Sequence, residues 1–179
     1  MDNLLHELKT ALIKFESVDL GYPKSVNYVS VNATKKIAEI ELSLPDSLAS
    51  FYSHIDEISL PDVYVGYFVM TVKNVSQFSK EGRIPTGIQR EDHREPIIAF
   101  GSTGGGDIFA VPQKTGEPVY FLPSYGVTGA TFRADINPVY IVADNLDTFL
   151  KKIVLDIQAL MERKPDWQYL TDVQRNADK

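Results

Sequence analysis

Residues 97–122 read Ile97-Ile98-Ala99-Phe100, Gly101-Ser102-Thr103-Gly104-Gly105-Gly106-Asp107, Ile108-Phe109-Ala110-Val111, Pro112-Gln113-Lys114-Thr115-Gly116-Glu117-Pro118, Val119-Tyr120-Phe121-Leu122. Three short apolar runs, rich in β-branched and aromatic residues, alternate with two breaks rich in Gly and Pro, which is the pattern of successive antiparallel strands. The second break, Pro112 to Pro118, has the length of an open hairpin. Strands over Ile97 to Phe100, Ile108 to Val111 and Val119 to Leu122 therefore form the expected centre of a sheet, and the rest of the chain supplies its neighbours and its cover.

Two further strands are predicted, one at Val139 to Val142 and one over the apolar, aromatic run Val63 to Met70, with Gly66 as a bulge. Val26 to Val31 alternates weakly and reads as an edge strand or an extended linker. Leu4, Leu5, Leu8, Ala11, Leu12 and Phe15 recur at helical spacing and predict a first helix over Leu4 to Phe15. Thr34 is placed to cap a second helix, Lys35 to Leu44, which Pro45 must interrupt because the residue before proline disfavours the α region. Pro45 then suits the start of a third, Asp46 to Ile55, whose Leu48, Phe51, Tyr52 and Ile55 share one face. Val75 and Phe78 suggest one or two helical turns between Asn74 and Gly82, followed by a charged, exposed loop from Arg83 to Glu95. The final helix, Asn145 to Arg163, has Asp144 as its predicted cap and an apolar stripe from Leu146 to Met161 that should pack on the sheet. Together these give an α+β fold in a single domain over residues 1–179, with a mostly antiparallel sheet of about five strands flanked by helices.

Composition narrows the function. The chain has no cysteine, which removes disulfides and thiolate zinc sites and fits a reducing compartment, so cytoplasm is the expected location. No apolar run approaches the roughly 20 residues of a membrane span. A net charge of −6 with scattered Lys and Arg argues against nucleic acid and suits a basic protein partner.

No arrangement of residues demands a particular chemistry. The cluster Gly101 to Gly106 lacks the Lys and following helix of a phosphate loop; Asp107 and an apolar run come directly after it, so a tight strand connection is the simpler reading. His6, His54 and His93 lie in separate elements without metal-ligand spacing, and no Gly-x-Ser-x-Gly elbow supplies a nucleophile. Neither a metal nor a cofactor is expected, and no catalytic residue is assigned. A hydrolase acting on a sugar or nucleotide through an acidic pair that includes Asp107 is the alternative reading. Strand alternation turns about half of the aromatic residues in each run away from the helices, where acids around them would form a protein-binding surface. Candidate contacts are Asp56, Glu57, Asp62 and Tyr64, which follow the third helix, and Glu91, Asp92 and Tyr125 in exposed loops.

The order of these pieces resembles the SUKH superfamily, which includes bacterial toxin-immunity proteins and the yeast cell-wall synthesis regulator family. The matching residues are Ile37 to Asp46 with Leu44-Pro45, leading into Phe51-Tyr52; Ile97 to Phe100 with Gly105-Gly106-Asp107; Val119 to Phe121; and Val142 to Leu150 with Phe149-Leu150. They span about residues 35–160 and leave the N-terminal helix and the tail after Pro165 outside. His54-Ile55-Asp56-Glu57 stands where the family often has Asn-Gly. The resemblance implies an α+β fold, no catalysis, and tight binding of another protein, commonly a toxin domain encoded nearby.

Overall fold

A computed structural model describes residues 1–31 and 42–173. Its centre is β5 (Arg94–Thr103), a strand of ten residues that pairs along both edges. Alternation along β5 sends Ile98 and Phe100 into a core shared with the helices, and Ile97 and Ala99 into a second core on the opposite face. β6 (Ile108–Pro112) and β7 (Val119–Leu122) follow antiparallel and divide their side chains in the same way: Phe109, Val111 and Phe121 on the helical side, Ile108, Ala110 and Leu122 on the other. Burial on both faces is the reason these strands read as unbroken apolar runs.

The opposite edge of β5 is divided between two groups of strands. Its C-terminal part pairs with β3 (Tyr67–Val69), which leads through β2 (Glu57–Leu60) to β1 (Tyr28–Ser30). Its N-terminal part pairs with β4 (Gly87–Gln89), which leads through a parallel pairing to β9 (Thr131–Arg133) and then β8 (Val127–Thr128). β10 (Tyr140–Ala143) continues the sheet beyond β7.

Helices α1 (Asp2–Glu16), α2 (Asp46–His54) and α4 (Leu146–Met161) cover one face, with the start of α3 (Val72–Lys80) joining the same core. The stripe of α4 packs on the sheet as its periodicity predicts. Phe149 lies edge-on to Phe100 with ring centroids 5.5 Å apart and to Phe109 at 5.0 Å. The class is α+β as expected, but the sheet has ten strands among the described residues rather than about five. β4 falls in the stretch that reads as a charged loop, and β8 and β9 in one for which no strand is predicted, because strands of two or three residues carry too little periodicity to register.

Three other expectations need correction. Of Val63 to Met70, only Tyr67–Val69 is strand; the amides of Val63 and Gly66 close turns on Leu60 O and Val63 O, so Gly66 serves a turn and not a bulge. Asn145, not Asp144, caps α4, its side chain accepting from the Thr148 amide at 2.8 Å. The helix expected over Lys35 to Leu44 lies outside the described residues as far as residue 41, and Leu42, Ser43 and Leu44 are not helical. Phe149→Ala removes a fully buried ring from the centre of the aromatic cluster and should cost about 3–5 kcal/mol in denaturant melts; a loss near zero would contradict this packing.

Candidate protein-binding surface

The register of β5 defines two ends of the sheet, about 30 Å apart along that strand. At the upper end, beyond Thr103, four connections meet: residues 17–27, 61–66, 104–107 and 123–126. Two aspartates fasten them. Asp62 Oδ2 accepts from the Ser25 amide and from Asn27 Nδ2, both at 2.7 Å, which joins the first connection to the second. Asp107 Oδ1 accepts from the Ser124 amide at 2.9 Å and its Oδ2 from Thr103 Oγ1 at 3.1 Å, which joins the third to the fourth. The second and third are joined by the Gly104 amide, which donates to Val65 O at 2.9 Å; a Cβ on Gly104 would stand 2.6 Å from that oxygen, so only glycine permits the approach. Gly106, at φ +87°, supplies the left-handed turn expected of the Gly-rich stretch.

On this fastened rim Val26 is 77% exposed, Tyr125 66%, Val65 42% and Tyr64 37%. The tail after α4 reaches the same end. Buried Asp156 accepts from the Tyr67 hydroxyl at 2.7 Å and the Leu170 amide at 2.9 Å through Oδ2, and from Trp167 Nε1 at 2.8 Å through Oδ1. Burial pushes the Asp156 carboxyl above the ordinary range, while the three donors pull it back down and Asp172 adds to the upward push. The Tyr67 hydroxyl is pushed up by the same burial and by Asp156 beside it.

The lower end has a cavity of about 590 Å³ between the start of β5 and the 113–118 hairpin, lined by Pro96, Pro112, Gln113, Thr115 and Tyr120 among others. In its wall the Tyr120 hydroxyl donates to Glu95 Oε1 at 3.0 Å, and Arg90 donates to Glu95 Oε2 from Nη2 at 2.7 Å and from Nε at 3.1 Å. Burial and then Glu95 raise the Tyr120 hydroxyl above its usual range.

These positions separate the candidate contacts. Asp62, Tyr64 and Tyr125 come together at the upper end with Gly105, Gly106 and Asp107. Glu91 and Asp92 lie at the lower tip; Asp92 is bonded to His93, which holds its carboxyl below the usual range. Asp56 and Glu57 stand at the start of β2 on the sheet's flank, where the Tyr28 hydroxyl donates to Glu57 Oε2 at 2.9 Å and the Asp56 amide to Ser30 O. Pro45 precedes α2 and packs against the 113–118 hairpin at Gly116, Leu44 lies against the helical core, and Phe149 and Leu150 are buried within it. Among the described residues no group of three or more His, Cys, Asp or Glu is placed to hold a metal ion, and no helix is long and apolar enough to cross a membrane.

Sequence reasoning missed Val26, Val65, Asp156 and the Glu95–Tyr120 pair. Asp156 had a signal: it falls three residues after Ile153, on the buried side of the α4 stripe. The pair had none, since it forms only when β5, β6 and β7 align Glu95 with Tyr120 across the sheet.

Fold and site together define an α+β protein whose loops are fastened into one exposed, partly apolar end. The profile of the SMI1 / KNR4 family (SUKH-1) matches residues 34–152, more than half of the chain, and the chain belongs to that family. Membership is compatible with an immunity or regulatory module. No match was found among curated proteins or among solved structures.

Asp156→Asn replaces one carboxylate oxygen by an N–H₂ group, which must face either the Trp167 indole N–H or the Tyr67 and Leu170 donors, and should destabilise the protein by about 1–3 kcal/mol. Because the folded pKa of Asp156 is raised, its stabilising effect is complete below the unfolded pKa and is lost as pH rises through the folded value. The gap between wild type and Asp156→Asn in urea melts should therefore narrow with rising pH; a gap that widens would contradict the burial-dominated shift.

Proposed function

We propose that this protein is a non-catalytic protein-binding module of the immunity type, which acts in the cytoplasm and neutralises a toxin-like partner by covering it. The observation that carries the proposal is the upper end, where Val26, Tyr64, Val65 and Tyr125 are held outward on loops fastened by Asp62 and Asp107. Loops ordered before contact reduce the conformational entropy lost on binding, and aromatic anchors on a fixed backbone are the usual source of interface energy. Both oxygens of Asp107 are engaged in the turn, which is a structural use of the residue that an acid–base role would have to displace. The net charge of −6 favours a basic partner such as a nuclease, with encounter accelerated roughly 10- to 10³-fold at low salt.

Co-expression with the protein encoded by the neighbouring reading frame tests the proposal. Rescue of growth and a stable one-to-one complex are the expected results. Tyr125→Ala and Val65→Asp should each weaken that complex by about 100-fold without lowering the melting temperature, as expected of anchors at a desolvated centre. Turnover of a sugar or nucleotide that is lost in Asp107→Asn at unchanged melting, with no complex formed, would overturn it.

A further inference from the structure

The tail after α4 lies outside the family-matched residues 34–152, yet it is fastened to the upper end of the sheet. Its anchor is internal: Leu170 is 4% exposed within the helical core, and buried Asp156 holds both the Leu170 amide and the Trp167 indole. From that anchor Tyr169 stacks face to face on Tyr64, with centroids 4.0 Å apart and planes 4° from parallel. Asp172 closes the contact, accepting from the Tyr64 hydroxyl at 2.8 Å through Oδ1 and from the Tyr169 amide at 2.9 Å through Oδ2.

Tyr64 is the residue that needs such a hold. It sits at φ +54°, a left-handed conformation that crowds the Cβ of any L-residue and is rare for an aromatic one. Val65, next in the chain, offers its carbonyl to Gly104, so the shape at Tyr64 passes into the Gly-rich connection as well. We propose that residues 164–173 are a clamp that keeps the 61–66 connection in this shape and so determines which partner the upper end accepts. The clamp stands on the geometry alone, whereas the role in partner choice rests on the function proposed above.

Hydrogen exchange on the full-length chain tests the clamp without any partner. The amides of Gly66 and Gly104 are the reporters, since both are bonded within or to the 61–66 connection. Tyr169→Ala should speed their exchange by about tenfold or more while amides in β6 keep their protection, and Tyr169→Phe, which retains the stacking ring, should exchange like wild type. Asp172→Asn is a milder second break for the case in which Tyr169→Ala misfolds, and should act in the same direction. Trp167 is the only tryptophan, so iodide quenching of its fluorescence reports whether the tail has left its seat. Unchanged exchange at both glycines in these variants would overturn the clamp, whatever the partner proves to be. Faster exchange with unchanged affinity for the neighbouring-frame protein would leave the clamp standing and overturn its role in partner choice, along with the upper end as the docking surface.

Discussion

The constraint on which the rest depends is that β5 is buried on both faces over Ile97 to Gly101 and paired on both edges. A strand in that position has no polar face to offer water, so Ile97, Ile98, Ala99 and Phe100 must all find apolar cover. Helices α1, α2 and α4 supply it on one side, and the short strands with the segment around Ile84, Ile88 and Phe132 supply it on the other. Sharing one edge of β5 between β3 and β4 then sends the connections of those strands in different directions. The 61–66 loop is carried to the upper end of the sheet and the 90–93 turn to the lower end.

The two ends differ in how they are held. At the upper end, each of two aspartates accepts from a connection other than its own, and a backbone contact through Gly104 closes the set, so the four connections are joined into one piece. This arrangement leaves apolar side chains outside while the amides of Ser25, Gly66, Gly104 and Ser124 beside them are paired, which favours contact without prior rearrangement. The lower end uses its carboxylates differently: Glu95 is occupied by Arg90 and Tyr120 within the wall of a cavity, and Glu91 is left on the exposed turn. Electrostatic steering can come from either end.

Much of the fold was legible in the sequence because long, strongly periodic segments announce themselves. The α4 stripe, α1, and the three central runs between Ile97 and Leu122 carry enough apolar residues for their period to be unambiguous. The short strands were not legible, since Val127–Thr128 or Gly87–Gln89 are strands only because a neighbour pairs with them. Val63 to Gly66 was misread for the opposite reason: its residues are apolar enough for a strand, but its amides are committed to turns. Of the candidate site, Asp62, Tyr64, Tyr125 and the Gly-Gly-Asp motif stand out in the sequence one by one, yet nothing in the chain order says that they share an end while Glu91 and Asp92 lie at the other. That grouping is a property of strand direction and register alone. The tail was the least legible, because its seat depends on one acid, Asp156, whose three donors come from β3 and from residues beyond α4.

The claim that the upper end is where this family member meets its partner is tested most directly by an exchange footprint of the complex. Amide exchange compared between the free chain and the one-to-one complex should show new protection across residues 61–66, 104–107 and 123–126, with residues 90–96 and 113–118 unchanged. Protection confined to residues 90–96 and 113–118, with the upper connections exchanging as in the free chain, would place the partner on the cavity at the other end and contradict the account.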